Sequence, residues 1–522
     1  MRGRRREQEW DATHDVVVVG SGAGAMTGAL EAASRGLDTV VLERTALLGG
    51  TSAYSGAACW LPGTQVQERA GLGDSTEAAR AYLRALTGDA EAERREAFLR
   101  HAPALVARLE RDPALVFEWR AFPDYVAAPG RMDAGRSFVP LDLAPDELGD
   151  LLPLVRPAVD RDRAGLGHPD GPLSAGRALI GRLLLAATRT GRAHIRAEHR
   201  VTGLVTEDGR VTGVEARTPH GTVRVRARRG VLLAAGGFER DDEGRAAHEV
   251  PGRAAWSMAP RGTNTGEVLR AAVAAGAATA LMDEAWWCPG TELPDGTAAF
   301  TLGLRGGLMV DATGRRFANE SLPYDRMGRA LATARRDGPC VHLVFDSREG
   351  GELPAVTVPS TAPEAHVAAG TWVRADSLPE LAGLIGVPAG ALAATVSRFN
   401  GFAATGTDED HHRGEDPYDL FFADTRNAPG PNPCLVPLDR PPYYAARLVL
   451  ADLGTKGGLR TDADARVLDA GGRPLPGLYA AGNTSASFTG RVYPGPGVPL
   501  GTAMVFASLA VRHMAEEPER TA

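Results

Sequence analysis

The chain has 522 residues, 43% hydrophobic and 24% charged, with both signs interspersed and a formal net charge of -7. That length exceeds what one hydrophobic core fills, so two or three domains are expected, and the composition excludes a disordered or fibrous chain. The acidic balance gives no footprint for nucleic acid, and no apolar run reaches the ~20 residues that span a bilayer.

The N-terminal MRGRRREQEW has basic residues but no apolar stretch behind them, so it reads as a solvated tail rather than a secretory signal. The first ordered element is HDVVVVGSGAGAMTGALEAASRGLDTVVLER. It predicts a buried strand over 15–19, a glycine turn, an Ala-rich helix and a second strand ending in Glu43. A strand of valines only suits a parallel sheet covered on both faces. The turn, Gly20, Ser21, Gly22, Ala23, Gly24, Ala25, fits G-x-G-x-x-A between strand and helix. Its first glycine makes the turn, its second lets a pyrophosphate approach the backbone, and its small last residue lets helix and sheet pack closely. The phosphate then rests on the helix N-terminus. Glu43, followed by Arg44, stands where a ribose hydroxyl would donate to it.

A second glycine segment, GGTSAYSG over 49–56, adds Gly50, Thr51, Ser52, Ser55 and Gly56 to the candidate cofactor residues. A helical stretch with irregular loops spans 75–188. Residues 194–237 alternate by two and turn at 207–209 and 220–221, a β-meander that carries Val201 and feeds a strand over 230–234. That strand ends at Ala235 and Gly236, and a further helix opens at 263–266. Trp286, Trp287, Cys288 and Pro289 then begin a glycine-rich strand region up to Arg315; the tryptophans read as cap core, with a pocket wall for a flat polycyclic substrate as the alternative. Up to about 440 the pattern is mixed and loop-rich, with TGTDEDHHRGEDPYD as an acidic surface loop whose His411 and His412 are solvated. Sheet character returns in PPYYAARLVLADLGTKGGLRTD and GLYAAGN, the latter ending in Gly482 and Asn483.

The simplest organisation is α/β: a Rossmann-like nucleotide-binding domain with a parallel sheet and β-meander over 12–283 and 442–518, interrupted by an α+β cap over 284–441. The repeated glycine turns favour FAD over NAD, since a long cofactor must pass several backbone turns. The cysteines Cys59, Cys288, Cys340 and Cys434 lack CxxC or zinc spacing and read as reduced thiols of a cytoplasmic protein. No metal-ligand spacing, G-x-S-x-G or HExxH occurs, which leaves no metal site or hydrolase motif.

One late stretch, GRVYPGPGVPLGTAMVF over 490–506, sets a tyrosine on alternating proline and glycine and runs into an apolar helix. Pro499 and Leu500 open that helix, whose free N–H groups would favour negative charge on a reduced flavin.

With GGTSAYSG and GLYAAGN together, the chain resembles the FAD-dependent group of fumarate reductase flavoproteins and 3-ketosteroid dehydrogenases, over nearly all its length after Asp15. The fumarate branch clamps a dicarboxylate with HG-x-NR-x-GG; here the equivalent TGRVYPGPGVPLG has neither the His nor the Asn-Arg pair. Arg491 within it reads as a solvent or phosphate contact. GRRFANESLPY, FPDYVAAPGRMDAGRS and YPGPG are similar to the segments of the 3-ketosteroid Δ1-dehydrogenases that carry their active-site tyrosines.

That resemblance implies Tyr324 as the base, Tyr125 as its assistant, and Tyr493 with the N–H of Gly497 as donors to the ketone oxygen. It implies a proton leaving C2, a hydride passing from C1 to flavin N5, and a steroid or other polycyclic ketone as substrate. The residues leave other readings open: a Δ4-(5α)-dehydrogenase or other ketone desaturase, a fumarate-type reductase, or a flavin-binding module without catalysis. Val498 and Pro499 after the turn, where relatives carry small polar residues, keep regiochemistry open. The electron acceptor, quinone-like among the options, the oligomeric state and peripheral membrane association are not specified by the sequence.

Overall fold

The computed structural model describes residues 10–334, 341–357, 359–423, 425, 427–428 and 430–517. The arginine run of the N-terminus, Cys340 and residue 518 lie outside them. Strand β1, Ala12–Val19, is longer than its valine run, and Val16 to Val19 are buried. Each buried valine contributes roughly 1.5–3 kcal/mol. On one side β1 pairs in parallel with β2, Thr39–Leu42, which in turn pairs with Ala193–Arg196; on the other it pairs in parallel with Gly221–Leu233. Strand Pro474–Ala480 adds in parallel beyond that.

The expected short strand over 230–234 is the end of this 13-residue strand Gly221–Leu233. Its early residues pair antiparallel with Arg210–Thr218 and are partly exposed, while its last four are buried against β1. One continuous strand serves both environments because its alternation gives way to the apolar run Val231-Leu232-Leu233. At the opposite end of β1, His14 and His194 each hydrogen-bond one oxygen of Asp38 at 2.9 Å, clamping three neighbouring segments.

Helix α1, Ala23–Ser34, lies between this sheet and the C-terminal helix Val498–Glu516. The approach is close at Gly24, where an added Cβ would stand 2.9 Å from the Ala503 carbonyl oxygen. By length and composition Val498–Glu516 could cross a bilayer, which corrects the expectation that no such run exists. Its apolar residues, Met504 to Val511 among them, are buried against α1 and the surrounding core.

A second sheet is built on Tyr443–Thr455, which pairs antiparallel with Ala285–Glu292, Val341–Asp346 and Trp372–Ala375. The boundary at 441/442 expected from the sequence thus separates this strand from its hydrogen-bonding neighbours. Helices Tyr324–Ala334, Leu378–Ile385 and Ala389–Thr405 make this region more regular than its loop-rich sequence suggests. The acidic loop is also not all surface. Asp408 pairs with Arg316 at 2.7 Å, and Arg413 with Glu320 at 3.1 Å, all four buried or nearly so, while His412 stays exposed. The forks of Arg316 and Arg413 need carboxylates once they enter the interior.

Candidate active site

A cavity of about 940 Å³ runs from the β1 turn to the face of the second sheet. At its first end the glycine turn leads into α1, whose N-cap residue, Gly22, has no side chain to cap it. Ser21, a variable position of the motif that the sequence reading passed over, organises this end. Its hydroxyl donates to Glu43 Oε2 at 2.6 Å and accepts from the Gly49 N–H at 2.9 Å, tying the first glycine turn to the second. Ser52 Oγ accepts from the Ala23 N–H at 3.1 Å. Thr51 also lines the cavity, and its buried Oγ1 has no protein partner.

These features fit FAD. Free N–H groups at the α1 turn and the unpartnered Thr51 hydroxyl suit phosphate oxygens. Glu43 Oε1 already accepts from the Thr45 N–H and hydroxyl, and Oε2 from Ser21, leaving Oε2 capacity for one more donor such as a ribose hydroxyl. Of the expected cofactor residues, Gly20, Gly22, Ala23, Gly24, Glu43, Arg44, Gly50, Thr51, Ser52, Ser55 and Gly56 line the cavity. So do Val201, Ala235, Gly236, Gly482, Asn483, Pro499 and Leu500. Ala25 does not: it is wholly buried in the first turn of α1. Arg44 donates to Thr265 Oγ1 at 2.9 Å; burial and then the charge of Arg200 lower its pKa.

At the other end the turn over 493–497 is held by its own carbonyls. Pro494 O accepts from the Tyr125 N–H at 2.9 Å and from Tyr82 Oη at 2.7 Å, Pro496 O from Ser137 Oγ at 2.5 Å, and Gly497 O from the Trp60 N–H at 3.3 Å. Gly497 has φ +85°, and a Cβ there would stand 2.0 Å from Ala58 O, so only glycine fits. The neighbouring loop is anchored by buried Asp124, which accepts from Trp60 Nε1 at 2.8 Å and pairs with fully buried Arg136 at 3.0 Å.

Three distant segments meet here. Tyr324 opens its helix and donates a 2.7 Å hydrogen bond to Tyr493 Oη; Tyr125 lies edge-on to both, ring centroids 5.3 and 5.2 Å away. Tyr324, Tyr493 and Gly497 line the cavity; Tyr125 stands behind them. Burial pushes all three phenols well above the usual tyrosine range; the charges of Tyr324 and Tyr493 add to it at Tyr125, and that of Tyr493 adds to it at Tyr324. The Tyr125 hydroxyl, without a well-aligned partner of its own, favours ionisation of Tyr324. At Tyr493 the Tyr324 hydroxyl and the Gly497 backbone favour the anion, while Asp325 opposes it.

The sequence reading missed a fourth buried tyrosine, Tyr418, 5.5 Å from Tyr125 and with its own hydroxyl unpartnered. It also missed Phe122, and Phe300 edge-on to Tyr324 at 5.3 Å, as cavity walls; single aromatics carry no local signal. Trp286 packs on Tyr493 at 4.8 Å and donates to Asn483 Oδ1 at 3.0 Å, a core role as expected. Arg491 pairs with Asp283 and Glu284 outside the cavity. The thiols Cys59, Cys288 and Cys434 are free and buried.

The FAD binding domain family matches residues 15–500. A 3-oxosteroid 1-dehydrogenase of Rhodococcus opacus is 45% identical over 98% of this chain and 100% of its own length. A 4-oxocyclohexanecarboxylate 2-dehydrogenase of Sinomonas cyclohexanicum is 38% identical over 97% of this chain and 93% of its own length. The crystal structure of 3-ketosteroid delta1-dehydrogenase from Sterolibacterium denitrificans, in complex with 1,4-androstadiene-3,17-dione, superposes with a TM-score of 0.88 at 34% identity, covering 96% of this chain and 99% of that one. With its cofactor end, its tyrosine end and its full length all matched, the chain belongs to the FAD-dependent 3-oxosteroid 1-dehydrogenases, oxidoreductases that act on CH–CH groups.

Proposed function

We propose that the tyrosine end of the cavity introduces a double bond between C1 and C2 of a 3-oxosteroid. The observation that carries this reading is the 2.7 Å contact between the Tyr324 and Tyr493 hydroxyls on the cavity wall, beside the Gly497 turn. Tyr493 Oη and the Gly497 N–H are uncharged donors that converge on one ketone oxygen and stabilise the charge that develops there. That stabilisation acidifies the α carbon, and Tyr324 removes its proton, helped by Tyr125. FAD, when bound, supplies the acceptor for the hydride that leaves the β carbon, so the two C–H bonds broken yield one C=C bond. The walls at Phe122, Phe300 and Leu302 suit a flat apolar ring system. The name of the Rhodococcus relative and the steroid in the Sterolibacterium structure support the same substrate class. Buried free thiols fit a cytoplasmic enzyme.

The test is anaerobic mixing of the yellow holoenzyme with 4-androstene-3,17-dione, with a 5α-saturated 3-ketosteroid and with 4-oxocyclohexanecarboxylate. Bleaching by the first with a 1,4-diene product is expected. Bleaching only by the oxo acid, or a product desaturated at C4–C5 alone, overturns the assignment.

A further inference from the structure

The segment TKGG over 455–458 leaves the central strand of the second sheet and carries a lysine into the interior. The Lys456 side chain is fully buried, which is costly for an ammonium unless several acceptors hold it. Its Nζ donates to the carbonyls of Arg491 and Val492 at 3.0 and 3.1 Å, the two residues that precede Tyr493. It lies 4.4 Å over the ring of Trp286, which packs edge-on against Tyr493, and 6.0 Å from the Tyr493 centroid. Its remaining partner is Asp325, at 4.0 Å, the residue that follows Tyr324. Asp325 is itself buried, its charge disfavours ionisation of Tyr493, and Lys456 and Arg329, the latter paired with it at 3.2 Å, both keep it ionised.

We infer that Lys456 is a positioning residue for the ketone-polarising turn: it ties the backbone before Tyr493 to the carboxylate after Tyr324 and balances that carboxylate's charge beside the two phenols. This rests on the tyrosine roles proposed above. The other groups around the ammonium are Arg329 on the Tyr324 helix, Glu284 and its partner Arg491, Cys288 of the second sheet near Tyr493, and Arg94, which shares a small cleft with Lys456. Arg329 donates to the Arg491 carbonyl as well, so the backbone there is held by two cations. Trp286 extends the tie to Asn483 on the cofactor side. Burial pulls the Lys456 ammonium down to about 8, against the opposing pull of Asp325. Its charge is thus present below that pH and lost above it, and turnover declines as pH rises past the same point.

Lys456→Met, Lys456→Arg, Asp325→Asn and the double variant Lys456→Met/Asp325→Asn are purified as holoenzymes, and kcat and KM are measured from pH 6 to 10. In Lys456→Met, kcat falls about tenfold, KM changes less than about threefold, and the decline near pH 8 disappears, because the titrating ammonium is gone and Asp325 is left to Arg329 alone. Lys456→Arg keeps kcat near wild type through pH 10, since a guanidinium stays charged, and the double variant recovers part of the lost kcat, since both charges are then gone. A decline in Lys456→Met that coincides with wild type, or a double variant no closer to wild type than Lys456→Met, overturns the inference. If Lys456→Met fails to retain FAD, Asp325→Asn decides: the decline moves to lower pH, because Asp325 no longer supports the ammonium's charge, and an unmoved decline overturns the inference. Tyr324→Phe separates the two levels. If it retains turnover, the tyrosine assignment fails; if it is inactive while Lys456→Met behaves as wild type, only the role of Lys456 fails.

Discussion

The two ends of the cavity are built in opposite ways. The phosphate- and ribose-binding part of the cofactor end is local: Gly20 to Ala25, Glu43 and the 49–56 segment lie within about forty residues, although Val201, Gly236, Gly482 and Pro499 join it from later in the chain. The ketone end is assembled from Tyr125, Tyr324 and Tyr493, which come from a loop of the first region, a helix of the second sheet and the C-terminal turn. Phosphate recognition needs only backbone N–H groups on a standard βαβ turn. Enolisation needs hydroxyls converging from several directions on one atom, and no single chain segment supplies that.

The contrast makes the ends separable by substitution. Removing the base should give the largest effect: Tyr324→Phe lowers kcat by about 10²–10⁴-fold while FAD stoichiometry, read from the flavin absorbance, is unchanged. A variant that loses FAD as well would show that the two ends are one structural unit. Glu43→Ala should do the reverse. It frees Ser21 from its 2.6 Å partner and removes the ribose acceptor, so FAD binding, measured by titration of apoprotein, weakens about tenfold or more. With saturating FAD, kcat stays within about twofold of wild type.

The smallest effect concerns the second sheet, against which the Tyr324 helix packs. His342 is buried there, and burial, then the charge of Arg447, lowers its pKa to about 4. The folded state thus holds it neutral. The stability this contributes is present above the unfolded value near 6.5 and is lost as pH falls through about 4. His342→Phe should flatten the fall of the apparent melting temperature between about pH 6.5 and 4.5 by a few degrees, corresponding to about 1–2 kcal/mol. An identical slope in the variant would place the acid-sensitive groups elsewhere, for instance in the paired carboxylates of the first sheet.

How much of the site could be read in advance follows the same division. The glycine turns that line the cavity were legible, because a turn's backbone demands are written in consecutive residues. Ala25, the motif's last position, is buried in helix packing and lies off the cavity surface. Tyr125 belongs with the other tyrosines, but whether it reaches the cavity depends on the loop anchored by Asp124 and Arg136, which no local pattern encodes. Lys456 and Tyr418 carried no signal at all. A single lysine after a strand reads as surface, and only the burial of its neighbours turns it inward.

By itself, then, the amino-acid order determined the βαβ turn, the cofactor class and the family, since these depend on spacing along one stretch of chain. Tertiary structure decided which aromatics face the ketone, that the acidic loop sends Asp408 inward to meet Arg316, and that Tyr443–Thr455 joins the second sheet. The physical reason is the same in each case: burial and convergent hydrogen bonding are properties of segments meeting in space, and their energies exist only once the chain has folded.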